Sequence, residues 1–554
     1  MISNITYHLG TAGPFSAPAG IRISEAMRAA GTDPADINLM AMRVNNEITS
    51  LSYPLEVNAR LEPVTIDSTE GRRVYRRSLC FLLAMAFHEI APQMHLVIGH
   101  SLGDSYYYTL GEEQTVDAAT LAQVEKRMRS LVQEDLEITR CYLAYEDAIR
   151  SFEDRGMMDT ALLVKHKNAS KVAVYTCGGI MDLAHGPLAP RTGVLKTFAL
   201  EIYEGGFILR FPGGEGDPRE LGTFRGSPLL FSVYQEHKEW GRILDVGSAG
   251  RLNDRVVSGG IREFIWVAEA LQNKRIAEIG DRIVAESQVR MVLIAGPSSS
   301  GKTTFAKKLE IQLRAAGRVP VAVSLDDYFV PREQTPRDEE GNYDFESLKA
   351  IDVTLLNEQL LALFEGEEVR MPVFDFKTGS RVTSDTPIRL RDNGILILEG
   401  IHGLNDQLTP RVSAQNKFKV YVSALTQLNL DDHTRIPTTD NRLIRRMVRD
   451  YQFRGHSALD TLHMWPSVRR GENRNIFPYQ DSADVAFNSA LDYELAVLRN
   501  YAWPLLTMVK PHHDVYHEAI RLMGFLDNFV GIPERNVPYD SILREFIGQS
   551  GFDY

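Results

Sequence analysis

The stretch Gly296-Pro297-Ser298-Ser299-Ser300-Gly301-Lys302-Thr303 constrains this chain more than any other. It fits G-x-x-x-x-G-K-[ST], the phosphate-binding P-loop pattern. An apolar run of strand length, Val289-Arg290-Met291-Val292-Leu293-Ile294-Ala295, precedes it. After it, Thr304-Phe305-Ala306-Lys307-Lys308-Leu309-Glu310 reads as a helix opening. In such a loop backbone N–H groups turn inward around a phosphate, and the helix N-terminus adds partial positive charge. Lys302 is placed to reach terminal phosphates, and the Thr303 hydroxyl to ligate Mg²⁺.

The chain shows no internal repeat and no low-complexity tract. From residue 289 onward strands and helices alternate: 289–295, a helix, 319–324, a helix near 353–364, 394–399, 417–422, a helix near 441–451, then 483–488. This alternation predicts an α/β domain, a P-loop NTPase-type parallel sheet wrapped by helices, over 287–554. A helical connector is expected at about 261–286, within a linking region of 213–286. The turn-rich Gly213-Gly214-Glu215-Gly216-Asp217-Pro218 marks a boundary. Upstream, helical spacing runs over 74–90 and twice within 118–153, and short strands such as Lys171-Val172-Ala173-Val174-Tyr175 follow. Residues 1–65 and 66–212 read as two α+β modules.

At 554 residues the chain is too long for one ordinary core. Its formal net charge of −12 argues against broad nucleic-acid or anionic-membrane binding. Cys80, Cys141 and Cys177 are odd in number and widely spaced, which suggests a reducing compartment without a disulfide framework. No basic leader opens the chain, and its longest apolar stretch, 79–87, is too short to span a membrane. The expectation is a cytoplasmic protein without a membrane partner.

Around the P-loop, three further groups carry chemistry. Strand two ends in Ser324-Leu325-Asp326-Asp327-Tyr328-Phe329, and ligands of open α/β sheets bind at the carboxyl ends of strands. Asp326 is thus placed to take a proton from an acceptor hydroxyl. Strand three ends Ile397-Leu398-Glu399-Gly400, a buried carboxylate that calls for a partner such as Mg²⁺. Then come Arg442, Arg445, Arg446 and Arg449, with Arg442, Arg449 and either Arg445 or Arg446 near one helix face and suited to phosphoryl oxygens. The polar stretch between Arg454-Gly455-His456 and Arg469-Arg470 reads as a mobile lid.

Taken together and in order, these motifs, with Asn342-Tyr343-Asp344 and Met371-Pro372-Val373-Phe374-Asp375-Phe376, resemble the uridine kinase and phosphoribulokinase family over about 290–488. The resemblance implies ATP and Mg²⁺ as cofactors. ATP would sit on Gly296, Ser298, Ser299, Ser300, Gly301, Lys302, Thr303 and Thr304, with Thr303 and Glu399 serving Mg²⁺. Asp326 would be the general base, acting with Lys302, Arg445 and Arg449 on the transferred group. Asp344, Phe374, Arg381, Arg442 and Arg454 would meet the acceptor. Uridine kinases usually carry a tyrosine and a base-reading histidine where this chain has Phe374 and Gly379. Phosphoryl transfer looks intact, while base selection is open.

The N-terminal half resembles another family. Arg76-Arg77-Ser78-Leu79-Cys80-Phe81-Leu82-Leu83-Ala84, Ile98-Gly99-His100, Tyr106-Tyr107-Tyr108, Glu125-Lys126-Arg127-Met128 and Phe152-Glu153-Asp154-Arg155-Gly156 look like the second additional domain of threonyl-tRNA synthetase. The residues before them look like its ubiquitin-like TGS module, a β-grasp. That family's H-x-x-x-H and C-x-x-x-H metal positions are Arg77, Phe81, Ala184 and Leu188 here, which cannot form such a site. His185 nearby reads as structural. This half is expected to bind or regulate rather than hydrolyse.

Three functions remain open on sequence grounds: a nucleoside kinase, a kinase for another small alcohol such as a sugar phosphate, and a nucleotide- or tRNA-sensing protein without turnover. A small-molecule substrate is the expected partner. RNA contact by the N-terminal modules and a homo-oligomer are left open.

Overall fold

Five strands carry the C-terminal half: β1 (Met291–Ala295), β2 (Val319–Ser324), β3 (Gly394–Glu399), β4 (Lys417–Ser423) and β5 (Val485–Asn488). Their spatial order is β2-β3-β1-β4-β5, and every pairing is parallel. A parallel sheet is covered on both faces by its crossovers, so its central strand must be apolar throughout. No residue of β1 is more than 1% exposed. The computed structural model describes residues 4–553 apart from 112–113, 214–216, 338–340, 342 and 376–377, and excepting the side chain of Arg242. Part of the 213–218 break, and Asn342 and Phe376 of the motifs, therefore lie outside the described residues.

Three helices frame the mouth of this sheet. Helix α1 (Lys302–Ala315) follows β1, α2 (Thr438–Arg449) follows β4, and α3 (Ala458–Asn475) leads back toward β5. The stretch expected as a mobile lid is helical, forming α3. Its first turn is fixed by a capping box in which Ser457 and Asp460 satisfy each other's backbone N–H groups. Pro466 within it, together with its many polar residues, hides the helical pattern in the sequence.

The N-terminal modules are α+β. Residues 4–65 form a mixed five-stranded sheet in the order Ala12–Pro18, Asn4–Leu9, Ala59–Thr65, Leu39–Val44, Glu47–Thr49. The strands Asn4–Leu9 and Ala59–Thr65 pair in parallel at its centre, and helix Ile23–Ala29 buries Ile23, Ala26 and Met27 in the same core. Helix Thr69–Ile90 then packs beside helix Ala118–Glu134. The linking region holds the expected helix, Ile261–Ala285, and two more, Pro228–Leu244 and Ala249–Val257.

The core does not stop at residue 212. One apolar cluster runs from Phe152, Val164 and Val174 through Leu252 and Phe264 to Phe305, Val422 and Leu443. Polar contacts follow the same seam. The loop before α2 reaches into the N-terminal half, where Asp432 accepts from both the N–H and the hydroxyl of Thr160, each at 2.8 Å. Asp431 meets His185 Nε2 at 2.5 Å, and His433 Nδ1 lies 3.0 Å from Asp182. Burial works against a proton on His433, but Asp182, Asp432 and Asp431 outweigh it and push its pKa up to about 9. Among the described residues no helix is long and apolar enough to cross a membrane.

Replacing Asp432 with Ala strands the buried N–H and hydroxyl of Thr160. An unsatisfied buried group costs about 1–3 kcal/mol. Calorimetry is expected to show an earlier transition, or one that separates into two as the halves uncouple. A melt identical to the wild type would show that this seam does not stabilise the chain.

Candidate active site

The P-loop leaves β1 at Gly296, where a side chain is sterically forbidden: a Cβ would lie 1.9 Å from the Val422 carbonyl oxygen of β4. Ser299 and Gly301 then take left-handed backbone angles, φ 58° and 79°, which swing the loop around the start of α1. Gly301 caps α1 without a side-chain bond. The hydroxyls of Ser299 and Ser300 are buried without a hydrogen-bond partner. Buried orphan hydroxyls beside a helix N-terminus suit an anionic ligand, so the loop fits nucleotide phosphates.

Lys302 opens α1 and is only 8% exposed, more enclosed than a solvent-facing loop residue would be. Its Nζ donates to the Pro297 carbonyl at 3.2 Å. Burial lowers its pKa, and Glu399, Glu545 and Asp326 oppose that shift. These carboxylates therefore share one electrostatic neighbourhood with the lysine. Thr303 Oγ1 stands 3.4 Å from Glu399 Oε2. A hydroxyl beside a carboxylate at the end of β3 is a donor set for a hard cation completed by phosphate oxygens and water, as Mg²⁺ requires. Burial pushes Glu399 up to about 7; Lys302 and the Thr303 hydrogen bond resist this, while Asp326 and Glu545 add to it.

Asp326 lies just past β2 in a short 3₁₀ turn, Leu325–Tyr328. It touches solvent, yet protein crowds it, and this crowding raises its pKa while Lys302, Arg454 and Arg449 pull it down. Asp327 has a separate task. Its Oδ1 accepts the Phe374 N–H at 3.1 Å and anchors the hairpin of Pro372–Asp375 and Ser380–Thr383. Phe374 is 6% exposed and packs on Phe329, with ring centroids 5.7 Å apart. Arg381 faces Phe374 in the hairpin and is held by Asp352 at 3.0 Å. Asp344 turns inward on its own loop, accepting the Glu346 N–H at 3.1 Å.

The arginines divide into two groups. Arg442 and Arg445, expected on the acceptor and the transferred phosphoryl group, are at most 1% exposed and commit to protein partners. Arg442 pairs with Glu472 of α3 and donates to the Ser298 carbonyl at 2.9 Å. Arg445 pairs with Glu494 and donates to the carbonyls of Ser299 at 3.4 Å and Ser489 at 2.8 Å. Both brace the P-loop from behind, so direct contact with substrate is not open to them in this arrangement. Arg446, Arg449 and Arg454 gather instead around buried Asp450, at 3.1, 2.9 and 3.5 Å. Arg446 also donates to the Ser298 hydroxyl at 2.7 Å.

Four carboxylates that sequence reasoning missed belong to this site. Glu472 accepts the Ser298 N–H at 3.0 Å, and Glu494 holds Arg445. Glu346 is pushed up by burial, with Arg446 and Lys302 opposing and Asp326 adding to the rise. Glu545 accepts from the N–H and hydroxyl of Thr304, at 3.1 and 2.7 Å. None belongs to a local motif. A glutamate in an otherwise mixed sequence gives no sign of a partner so remote in the chain.

In the N-terminal half, Arg77, Phe81 and Leu188 line one small cavity of about 30 Å³, which His433 and Thr434 from the other half also line. Arg77 donates to the Pro187 carbonyl at 3.3 Å, and burial lowers its pKa to about 10. Cys80, Asp182 and His185 share this lining, but His185 is engaged by Asp431 and His433 by Asp182, and Arg77, Phe81 and Leu188 themselves offer a divalent metal no ligand.

Residues 291–496 match the model of the Phosphoribulokinase / Uridine kinase family, and the five-stranded parallel sheet flanked by helices here matches a P-loop kinase fold. The N-terminal region is similar to threonine–tRNA ligases. That of Citrifermentans bemidjiense is 30% identical over 291 residues, 50% of this chain and 44% of that protein. Threonine–tRNA ligase 2 of Bacillus subtilis is 31% identical over 193 residues, 34% of this chain and 30% of that protein. The chain thus spans less than half the length of these curated relatives. Among solved structures, that of a "possible uridine kinase" from Bacillus stearothermophilus is 23% identical, covering 39% of this chain and 98% of that one with a TM-score of 0.25.

The raised Glu399 sets a pH dependence. Its folded value of about 7 exceeds the ordinary 4.5, so between these values the folded chain holds a proton that the unfolded chain has released. Its contribution to stability is full below about pH 4.5 and is lost as pH rises through about 7. In EDTA, the wild-type melting temperature should fall more steeply from pH 5 to pH 8 than that of Glu399→Gln. Parallel curves would show that Glu399 does not titrate there.

Proposed function

We propose that this chain transfers the γ-phosphoryl group of ATP to a hydroxyl of a small molecule, with the 5′-hydroxyl of a nucleoside as acceptor. The observation that carries the reading is the position of Asp326. It stands at the carboxyl end of β2, electrostatically coupled to Lys302 of the P-loop and to Arg449 and Arg454 across the cleft. A carboxylate with a raised pKa is a better proton acceptor, and the cations keep it ionised.

Asp326 would take the proton of the acceptor hydroxyl as its oxygen forms a bond to phosphorus. The bond to the ADP oxygen would break, and its electron pair would leave on ADP. Lys302, Arg449 and Arg454 would meet the charge that develops on the phosphoryl oxygens. Mg²⁺, when bound by Thr303 and Glu399, supplies charge neutralisation at the phosphates. Asp344 would accept a hydrogen bond from the phosphoryl acceptor, while Phe374, buried against Phe329, would support the hairpin from the core rather than meet the acceptor as expected.

A sugar phosphate is the second reading, favoured by the cation Arg381 opposite Phe374. Because Asp352 already holds that guanidinium, the nucleoside reading stands first. The likeness to threonine–tRNA ligases supports an accessory RNA contact by the N-terminal modules as a further part of the proposal.

Two variants test the assignment. Lys302→Ala should abolish ADP formation in the presence of Mg-ATP and mixed ribonucleosides. Asp326→Asn should lower turnover by about 10²–10⁴-fold, the range for loss of a general base, with ATP affinity nearly unchanged. Unchanged turnover with collapsed ATP affinity in Asp326→Asn would contradict its role.

A further inference from the structure

The C-terminal segment lies against the phosphate end of the P-loop. Ile542, Leu543, Phe546 and Ile547 are at most 3% exposed and belong to the main core. Ile542 presses on Gly301, where a Cβ would lie 2.6 Å from its Cγ2. The Arg445 guanidinium sits 4.9 Å from the Phe546 ring centroid. Gly548 abuts Gln452 and Phe453 in the turn Asp450–Arg454 that carries Arg454. The segment is thus fixed between the P-loop and the arginine turn.

Glu545 projects from this segment onto the first turn of α1. One of its carboxylate oxygens accepts both the Thr304 N–H at 3.1 Å and the Thr304 hydroxyl at 2.7 Å. First-turn N–H groups have no partner within their own helix and are the donors that a P-loop helix offers to an anion. Here one of them is already taken, and by an anion. The contact is also electrostatically part of the site, because Glu545 acts on both Lys302 and Glu399. A second carboxylate near Glu399 repels the negative charge that nucleotide phosphates would bring.

We infer that Glu545 is a built-in competitor for a nucleotide phosphate, and that the 541–548 segment is an autoinhibitory plug which must shift for the nucleotide to seat fully. This rests on the P-loop being the nucleotide site. Through Gly548 the same shift would be felt at the turn bearing Arg454, so nucleotide entry and placement of that arginine would be linked.

The test compares full-length wild type, Glu545→Gln and Glu545→Ala, with ADP and Mg²⁺ as the titrated probe. Glu545→Ala is expected to bind ADP at least about tenfold more tightly than wild type, the scale of one charge-assisted hydrogen bond removed from the competitor. Glu545→Gln should fall between them. Hydrogen exchange of the wild type is a second reading that needs no variant: ADP should speed exchange in 541–548. Equal or weaker ADP binding by both variants, or unaltered exchange in 541–548, would overturn the plug while leaving the kinase reading intact. Absence of ADP binding in wild type and Glu545→Ala alike would overturn both.

Discussion

Two guanidinium–carboxylate pairs buried behind the P-loop, Arg442 with Glu472 and Arg445 with Glu494, hold the phosphate site in shape. A P-loop owes its function to backbone carbonyls pointing away from the ligand while N–H groups point toward it. Those outward carbonyls need donors, and Arg442 and Arg445 supply them to Ser298 and Ser299. Charges so buried are tolerable only when paired, and removing one partner typically costs about 3–5 kcal/mol. The pairs also tie three elements together. Helix α2 brings the arginines, α3 brings Glu472, and the helix Glu494–Leu506 after β5 brings Glu494.

Helix α2 also joins the C-terminal half to the N-terminal half. Helix α2 begins directly after the loop that carries Asn429, Asp431, Asp432, His433 and Arg435. Asn429 donates to the Ile98 carbonyl at 2.8 Å, and Arg435 stacks 5.1 Å from the Tyr106 ring centroid. Downstream, Arg73 of the N-terminal half meets Glu518 at 2.8 Å, and Arg521 joins Glu518 to Asp440 of α2. Helix α2 is thus gripped at its N-terminal end by the N-terminal modules and along its length by the P-loop. Between the two halves, Arg77, Phe81 and Leu188 line a small cavity that His433 and Thr434 of the loop before α2 also line.

Much of the kinase half was legible in the sequence, for a physical reason. Strands buried on both faces must be apolar runs, and 394–399 and 319–324 were read at the ends they have in the fold. The P-loop and Asp326 at a strand end follow from local order, while Thr303 beside Glu399, 96 positions apart, was reached only through the family resemblance. The division of the arginines was not legible. Helix geometry puts Arg442, Arg449 and either Arg445 or Arg446 near one face, and only remote Glu472 and Glu494 and adjacent Asp450 decide which brace the P-loop and which gather at Asp450. Helix α3 was hidden by Pro466 and its polar residues. Glu545 was invisible because its partner, Thr304, lies 241 positions away. The seam between halves was missed for the same reason, since Asp432 and Thr160 are 272 positions apart.

The most direct measurement is to incubate the purified full-length chain with Mg-ATP labelled in the γ-phosphoryl group and a panel of ribonucleosides and sugar phosphates, and to identify the labelled product. The account predicts a Mg²⁺-dependent nucleoside 5′-monophosphate that carries the label. Label appearing only as inorganic phosphate, or remaining in ATP with every acceptor, would contradict it.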